Sequence, residues 1–158
     1  MVHIRRATIV DLPQVRELEA QALTAAHWNR AQYAALFADD SPQRIALLAQ
    51  NHHDDVQVVG FLIARCLAGE WEIENVVVAD HHRKRGIGTA LLRRLVSEAE
   101  AAGAAEIILE VRESNAPARR LYESIGFTLE GRRKSYYRDP AEDAILYRRS
   151  LQFCDKIP

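Results

Sequence analysis

The segment that most restricts what this chain can fold into runs from Trp71 to Val111. An alternating apolar stretch, Trp71 to Val78, ends in Val76-Val77-Val78 and reads as a strand. The basic, glycine-bearing stretch Arg83-Lys84-Arg85-Gly86-Ile87-Gly88 follows. Beyond it, Leu91, Leu92, Leu95, Val96 and Ala99 line one face of a helix, and Arg93, Arg94, Glu98 and Glu100 line the other. Gly103 can close that helix in a left-handed conformation. Glu106 to Val111 is a second strand, and its Ile107-Ile108-Leu109 is apolar on both faces, the pattern of a central strand covered on both sides. Strand, glycine turn, amphipathic helix and buried strand in succession require a sheet with a helix packed on it.

The flanking segments extend the same architecture. His3 to Ala7 reads as a short strand. A helix follows with Asp11 as its N-cap and Pro13 in its first turn; capping by Thr8 would put Pro13 too deep. Leu12, Val15, Leu18 and Ala22 repeat at helical spacing. A second short helix spans Asn29 to Phe37. Ile45 to Ala49 and Val56 to Ala64 form a hairpin-like strand pair around the polar residues Gln50 to Asp55, and Ala68-Gly69-Glu70 is a turn. Asn115 caps a short helix from Ala116 to Ser124 with Pro117 in its first turn, and Gly126 ends it. Phe127 to Arg133 and Ala144 to Leu151 are a closing strand pair around a long loop. The expected fold is therefore α/β, a mixed central sheet of six or seven strands with helices on both faces. One domain is expected over residues 1–151, with 152–158 as a flexible tail.

Composition excludes some functions. Basic and acidic residues nearly balance, 21 against 22, so neither nucleic acid nor an anionic membrane is the expected partner. No apolar run approaches the roughly 20 residues that span a bilayer, and the N-terminus lacks the apolar stretch of a secretory signal. Cys66 and Cys154 lie far apart, and both are read as thiols of a reducing cytoplasm. A monomer or weak dimer is expected.

The glycine turn carries the first chemistry. Glycines let the backbone approach a ligand closely. Free N–H groups at a helix start carry partial positive charge and suit a diphosphate. No Gly-Lys-Ser/Thr follows, which excludes the phosphate loop of ATPases. Gly86 and Gly88 lack the third glycine of a dinucleotide fingerprint. His81 and His82 are adjacent, point in different directions and read as solvated loop; no metal site is expected.

Arg83-x-x-Gly86-x-Gly88 after an apolar strand resembles the acetyl-CoA motif of the GNAT superfamily of N-acyltransferases. The downstream run Asn115 to Phe127, with Leu121-Tyr122-Glu123 and Gly126-Phe127, stands at that family's spacing. Leu109-Glu110-Val111-Arg112-Glu113-Ser114-Asn115 and Gly131 to Pro140 are similar to the RimI group, which acetylates the N-terminal alanine of a small-subunit ribosomal protein. Asp80 departs from the group, which has proline there and hence a tighter turn.

The resemblance implies acetyl-CoA as co-substrate and the N-terminus of a ribosomal protein as partner. It implies that the backbone of Val76, Val77 and Val78 holds the thioester and pantetheine, and that Lys84, Arg85, Gly86, Ile87, Gly88 and Thr89 hold the diphosphate, with Asn115 and Tyr122 also at the cofactor. Glu110, at the C-terminal end of a buried strand where ligands bind in open α/β sheets, is the expected proton acceptor. Glu72 and Glu74 are rivals on the preceding strand. Tyr122 stands seven residues after Asn115, on about the same helix face, and its phenol is protonated at neutral pH, which suits the acid. Tyr136 and Tyr137, placed in the loop before the last strand, would flank an extended peptide, and Glu72, Glu74 and Asp143 would attract a basic one. The alternatives are broader peptide or small-molecule N-acetylation, and a non-catalytic acyl-CoA-binding module.

Overall fold

A computed structural model describes residues 1–23, 25–38, 43–52 and 55–151. Seven strands among these residues form one sheet: β1 (Val2–Arg6), β2 (Arg44–His52), β3 (Val56–Leu67), β4 (Glu70–Val78), β5 (Glu106–Arg112), β6 (Thr128–Tyr137) and β7 (Glu142–Ser150), in the order β1-β2-β3-β4-β5-β7-β6. Only the β4–β5 pair is parallel, because α3 (Ile87–Ala101) crosses between them. α3 lays Leu91, Leu92 and Leu95, all without exposure, on one sheet face. Each such side chain contributes about 1.5–3 kcal/mol of burial. α4 (Ala116–Ser124) joins that face through Tyr122, Ala118 and Leu121. α1 (Leu12–Gln21) and α2 (Arg30–Ala35) cover the opposite face through Val15, Leu18 and Tyr33. Helices on both faces of a mixed sheet are the architecture read from the sequence.

Four local expectations need correction. A single turn of 3-10 helix, Ile9–Asp11, separates Thr8 from α1, so Pro13 still enters at the first turn of α1. Asp11 is the N-cap residue of α1, as expected, but its carboxylate turns back: it accepts from the Thr8 N–H at 2.7 Å and the Thr8 hydroxyl at 3.1 Å. Next, β2 and β3 run farther than the apolar patches, to His52 and Leu67, because the backbone ladder continues through polar positions. Then β5 is buried on one face only: Ile107, Leu109 and Val111 are covered, while Ile108 is half-buried beside Glu106, Glu110 and Arg112. α1 and α2 pack on β2, β3 and β4 and leave that part of the sheet open. Finally, the last hairpin is longer and its loop shorter than expected, so Tyr136 and Tyr137 end β6 instead of lying in a loop. Tyrosine suits a strand, and the ladder resumes at Tyr137–Glu142 after a register shift. The expected tail, 152–158, and Cys154 lie outside the described residues.

Asp11 also joins β1 to α1. Arg5 meets its two carboxylate oxygens at 2.9 and 2.7 Å. That hydrogen bond, with the Thr8 N–H, holds the Asp11 carboxyl down at about 2. A depressed carboxyl contributes stability that is complete above its unfolded value and is lost as pH falls through the folded one. Asp11→Asn is therefore expected to cost about 2 kcal/mol at neutral pH. The difference from the wild type should shrink as pH falls from about 4 toward about 2, measured by urea unfolding across that range.

Candidate active site

The glycine turn is built as an anion cradle. Gly86 adopts φ 79° as the residue before α3, and Lys84 is also left-handed at φ 58°. Among the described residues, no backbone N–H from Lys84 to Thr89 has an acceptor; the first helical bond is donated by Ala90 to the Gly86 carbonyl at 2.9 Å. These donors open on a site flanked by the exposed Lys84 and Arg85. Asp80 does not loosen the turn. It opens a 3-10 turn, Asp80–His82, and pairs with Arg83 at 2.9 Å, while the Arg83 Nε–H donates to the Val78 carbonyl at 3.2 Å. Gly88 serves a different purpose from Gly86. A Cβ there would come within 2.8 Å of Leu121, so its absence lets α4 approach α3.

β4 and β5 separate beyond their N-terminal halves. Their parallel pairing ends at Ile73–Leu109, so the β5-facing backbone edge from Glu74 to Val78 has no strand partner. A register shift opposite Ile63 and Ala64 marks the bend at Glu74. Past it, Val77 packs toward α1, while Val76 and Val78 pack toward α3. Behind the bend lies a network that sequence reading missed. Buried Glu19 accepts from the Asn75 amide at 2.8 Å, the Trp28 N–H at 2.9 Å and the Tyr33 hydroxyl. Burial, then the Glu19 contact, push the Tyr33 phenol far up. A glutamate on an apolar helix face is the one sequence sign of such a network.

Four of the expected side chains, Glu110, Tyr122, Tyr136 and Tyr137, lie within electrostatic reach of one another. Glu110 keeps a fifth of its side chain exposed. It pairs with Arg133 at 3.1 Å, and its proximity is the main cause of the Tyr136 phenol's raised pKa. Tyr137 packs edge-on against Tyr136 with ring centroids 5.1 Å apart, and its phenol is pushed up to about 12 by burial and then by the Glu110 charge. Tyr122 is buried against Phe127 and Tyr147 at 5.8 and 6.2 Å. Burial, then neighbouring Tyr137, raise its pKa far above the ordinary value. Its hydroxyl makes no hydrogen bond among the described residues, and no buried side-chain polar atom there lacks a partner, so this oxygen retains access to open space. Asn115 caps α4, accepting from the Ala118 N–H at 3.3 Å.

Glu72 and Glu74 share the open face as expected, but each is committed to arginine. Glu72 meets Arg65 at 2.6 Å, and Glu74 meets Arg44 at 2.9 Å. Asp143 is likewise held by Arg132 and by the Ser135 N–H. Their charge is largely answered within the fold. Trp71 is a core residue, and Trp28 lies at the rim beneath the Arg44 guanidinium, 5.8 Å away. Among the described residues there is no group of three or more His, Cys, Asp or Glu side chains that could hold a metal ion.

Known proteins resemble this chain in sequence and fold. The model of the acetyltransferase (GNAT) family matches residues 12–127. The [ribosomal protein bS18]-alanine N-acetyltransferase of Escherichia coli (strain K12) is 36% identical over 140 residues, which cover 86% of this chain and 88% of the relative. The enzyme of the same name from Salmonella typhimurium is 38% identical over 138 residues, again 86% and 88% of the two chains. The crystal structure of the ribosomal-protein-S18-alanine N-acetyltransferase from Escherichia coli superposes with a TM-score of 0.84 at 28% identity, covering 100% of this chain and 99% of that one. Since the family match takes in the separated strands, the amide cradle and the Tyr122 helix together, the chain belongs to the acetyltransferase (GNAT) family.

Proposed function

We propose that this enzyme transfers the acetyl group of acetyl-CoA to the N-terminal α-amine of a protein that begins with alanine, its substrate being a small-subunit ribosomal protein of the bS18 kind. The reading is supported by the grouping of Glu110, Tyr122, Tyr136 and Tyr137, which lie within electrostatic reach of one another, together with the row of free amides from Lys84 to Thr89 ahead of α3. The relatives named above supply the acceptor. The reading implies a cytoplasmic enzyme.

The residues fit acetyl-CoA along its length. The amides from Lys84 to Thr89 would hold the diphosphate. The unpaired edge of Val76 to Val78 would hold pantetheine, with the Val76 N–H polarising the carbonyl. Bound there, the coenzyme supplies an activated acetyl group. A peptide α-amine has a pKa of about 7.7–8.0 and must lose a proton to attack. Glu110 accepts that proton, directly or through water. Tyr122, kept protonated by burial, donates to the departing sulfur. Tyr136 and Tyr137 flank the incoming peptide, while Arg133 holds Glu110 in place.

The test is incubation of the pure enzyme with acetyl-CoA and a peptide library, read by mass spectrometry. Acetylation of the α-amine of alanine-initiated peptides is the expected result. Acetylation of small free amines with no peptide product would overturn the acceptor. Coenzyme binding without turnover on any amine would overturn catalysis.

A further inference from the structure

Arg112 lies two residues beyond Glu110 on the same face of β5 and reaches across to the far end of the last hairpin. One guanidinium nitrogen donates to the Pro140 carbonyl at 3.2 Å and to the Glu142 carboxylate at 3.4 Å. The other terminal nitrogen donates to the Arg138 carbonyl at 3.3 Å. The guanidinium carbon sits 4.3 Å from the centroid of the Tyr137 ring. Glu142 in turn accepts from the Ser114 N–H at 2.5 Å, next to the Asn115 cap of the helix that bears Tyr122.

This hairpin end needs such support. The β6–β7 ladder is interrupted between Arg133 and Tyr137, and only the Tyr137–Glu142 pair lies beyond the break. Ser135 and Asp139 hold positive φ there. Backbone pairing alone therefore does not fix Tyr136 and Tyr137. A planar fork that satisfies two carbonyls and a carboxylate while covering an aromatic ring is arginine chemistry, which lysine cannot reproduce.

We propose that Arg112, with Glu142, is a positioning pair: it sets the Tyr136–Tyr137 clasp against Glu110 and ties the clasp to the start of α4, and so governs binding of the acceptor peptide. The acceptor half rests on the function proposed above. Direct contact runs from Arg112 to the Tyr137 ring and from Tyr137 to Tyr136, and both phenols feel the Glu110 charge.

The full-length variants Arg112→Gln, Arg112→Lys and Glu142→Gln test it with two readouts. The first is hydrogen exchange of the amides from Lys134 to Glu142, compared with those of α3. Exchange in the hairpin is expected to rise about tenfold in all three variants, with α3 unchanged, because only the local opening is made easier. The second is steady-state kinetics with an alanine-initiated peptide. The peptide KM is expected to rise at least ~10-fold, while kcat and the KM for acetyl-CoA change less than about threefold, the signature of lost acceptor binding. Unchanged hairpin exchange would overturn the proposal whether or not the enzyme acts on peptides. Raised exchange with an unaltered peptide KM would overturn the acceptor role, as would kcat and both KM values worsening together with global stability. Full recovery in Arg112→Lys would overturn the fork geometry. A wild-type enzyme inactive on all peptides would remove the acceptor reading alone, and the exchange data would still decide the clasp.

Discussion

Glu110→Gln is expected to lower kcat by roughly 10²–10⁴-fold, the usual loss on removing a general base, while leaving the fold intact. Glutamine keeps the shape of the side chain. The pair lost with Arg133 involves an arginine more than half exposed, so its contribution to stability is small. Tyr122→Phe sharpens the point. The deleted hydroxyl has no partner among the described residues, so the variant keeps its packing against Phe127 and Tyr147. Its melting temperature should match the wild type while kcat falls by a factor on the order of 10² or more. Single-turnover kinetics and calorimetric acetyl-CoA titration separate the roles, with turnover lost and affinity kept. Wild-type kcat in either variant would take that residue out of the chemistry. Glu72→Gln and Glu74→Gln are expected to act on stability instead, since both carboxylates are held by arginines.

The second large effect is at Gly86. A side chain there meets no atom within 4 Å, so the difficulty is not steric contact but the φ of +79°. Valine in a left-handed conformation is strained by roughly 1–3 kcal/mol and would relax by rotating the amides that follow. Gly86→Val is thus expected to weaken acetyl-CoA binding at least ~10-fold, while Gly86→Asn, a residue that tolerates this conformation, keeps most of the affinity. Isothermal titration decides it, and equal affinity in all three proteins would count against the cradle. Gly88 behaves differently: Gly88→Ala should destabilise the α3–α4 contact, and Leu121→Ala should recover part of the loss by opening the space that the new methyl occupies.

Much of this site was legible in the chain because its parts are local. A glycine before an amphipathic helix, an asparagine before Ala-Pro-Ala and a glutamate at the end of an apolar strand each announce their geometry within a few residues. What was not legible depends on strand order. Arg133 reaches Glu110, and Arg112 reaches Tyr137, only because β7 inserts between β5 and β6. No local periodicity encodes that insertion. The arginines that answer Glu72 and Glu74 come from β3 and β2, across the antiparallel β2-β3-β4 register. Tyr136 and Tyr137 read as loop in the sequence because the polar run before them masks a strand that bends and resumes its ladder at Tyr137. The resemblance gives Gly88 a place at the phosphate, while its contact with Leu121 is a second role that appears only once the two helices are docked.

The central physical claim is that unsatisfied amides ahead of α3 seize a diphosphate and direct the attached thioester into the gap between β4 and β5. A crystal structure of the enzyme with acetyl-CoA measures this directly. Diphosphate oxygens within about 3.2 Å of the N–H groups from Lys84 to Thr89, with the sulfur beside the Tyr122 hydroxyl, are the predicted result. A diphosphate bound away from that turn, or a sulfur on the far side of β4 from Tyr122, would contradict it.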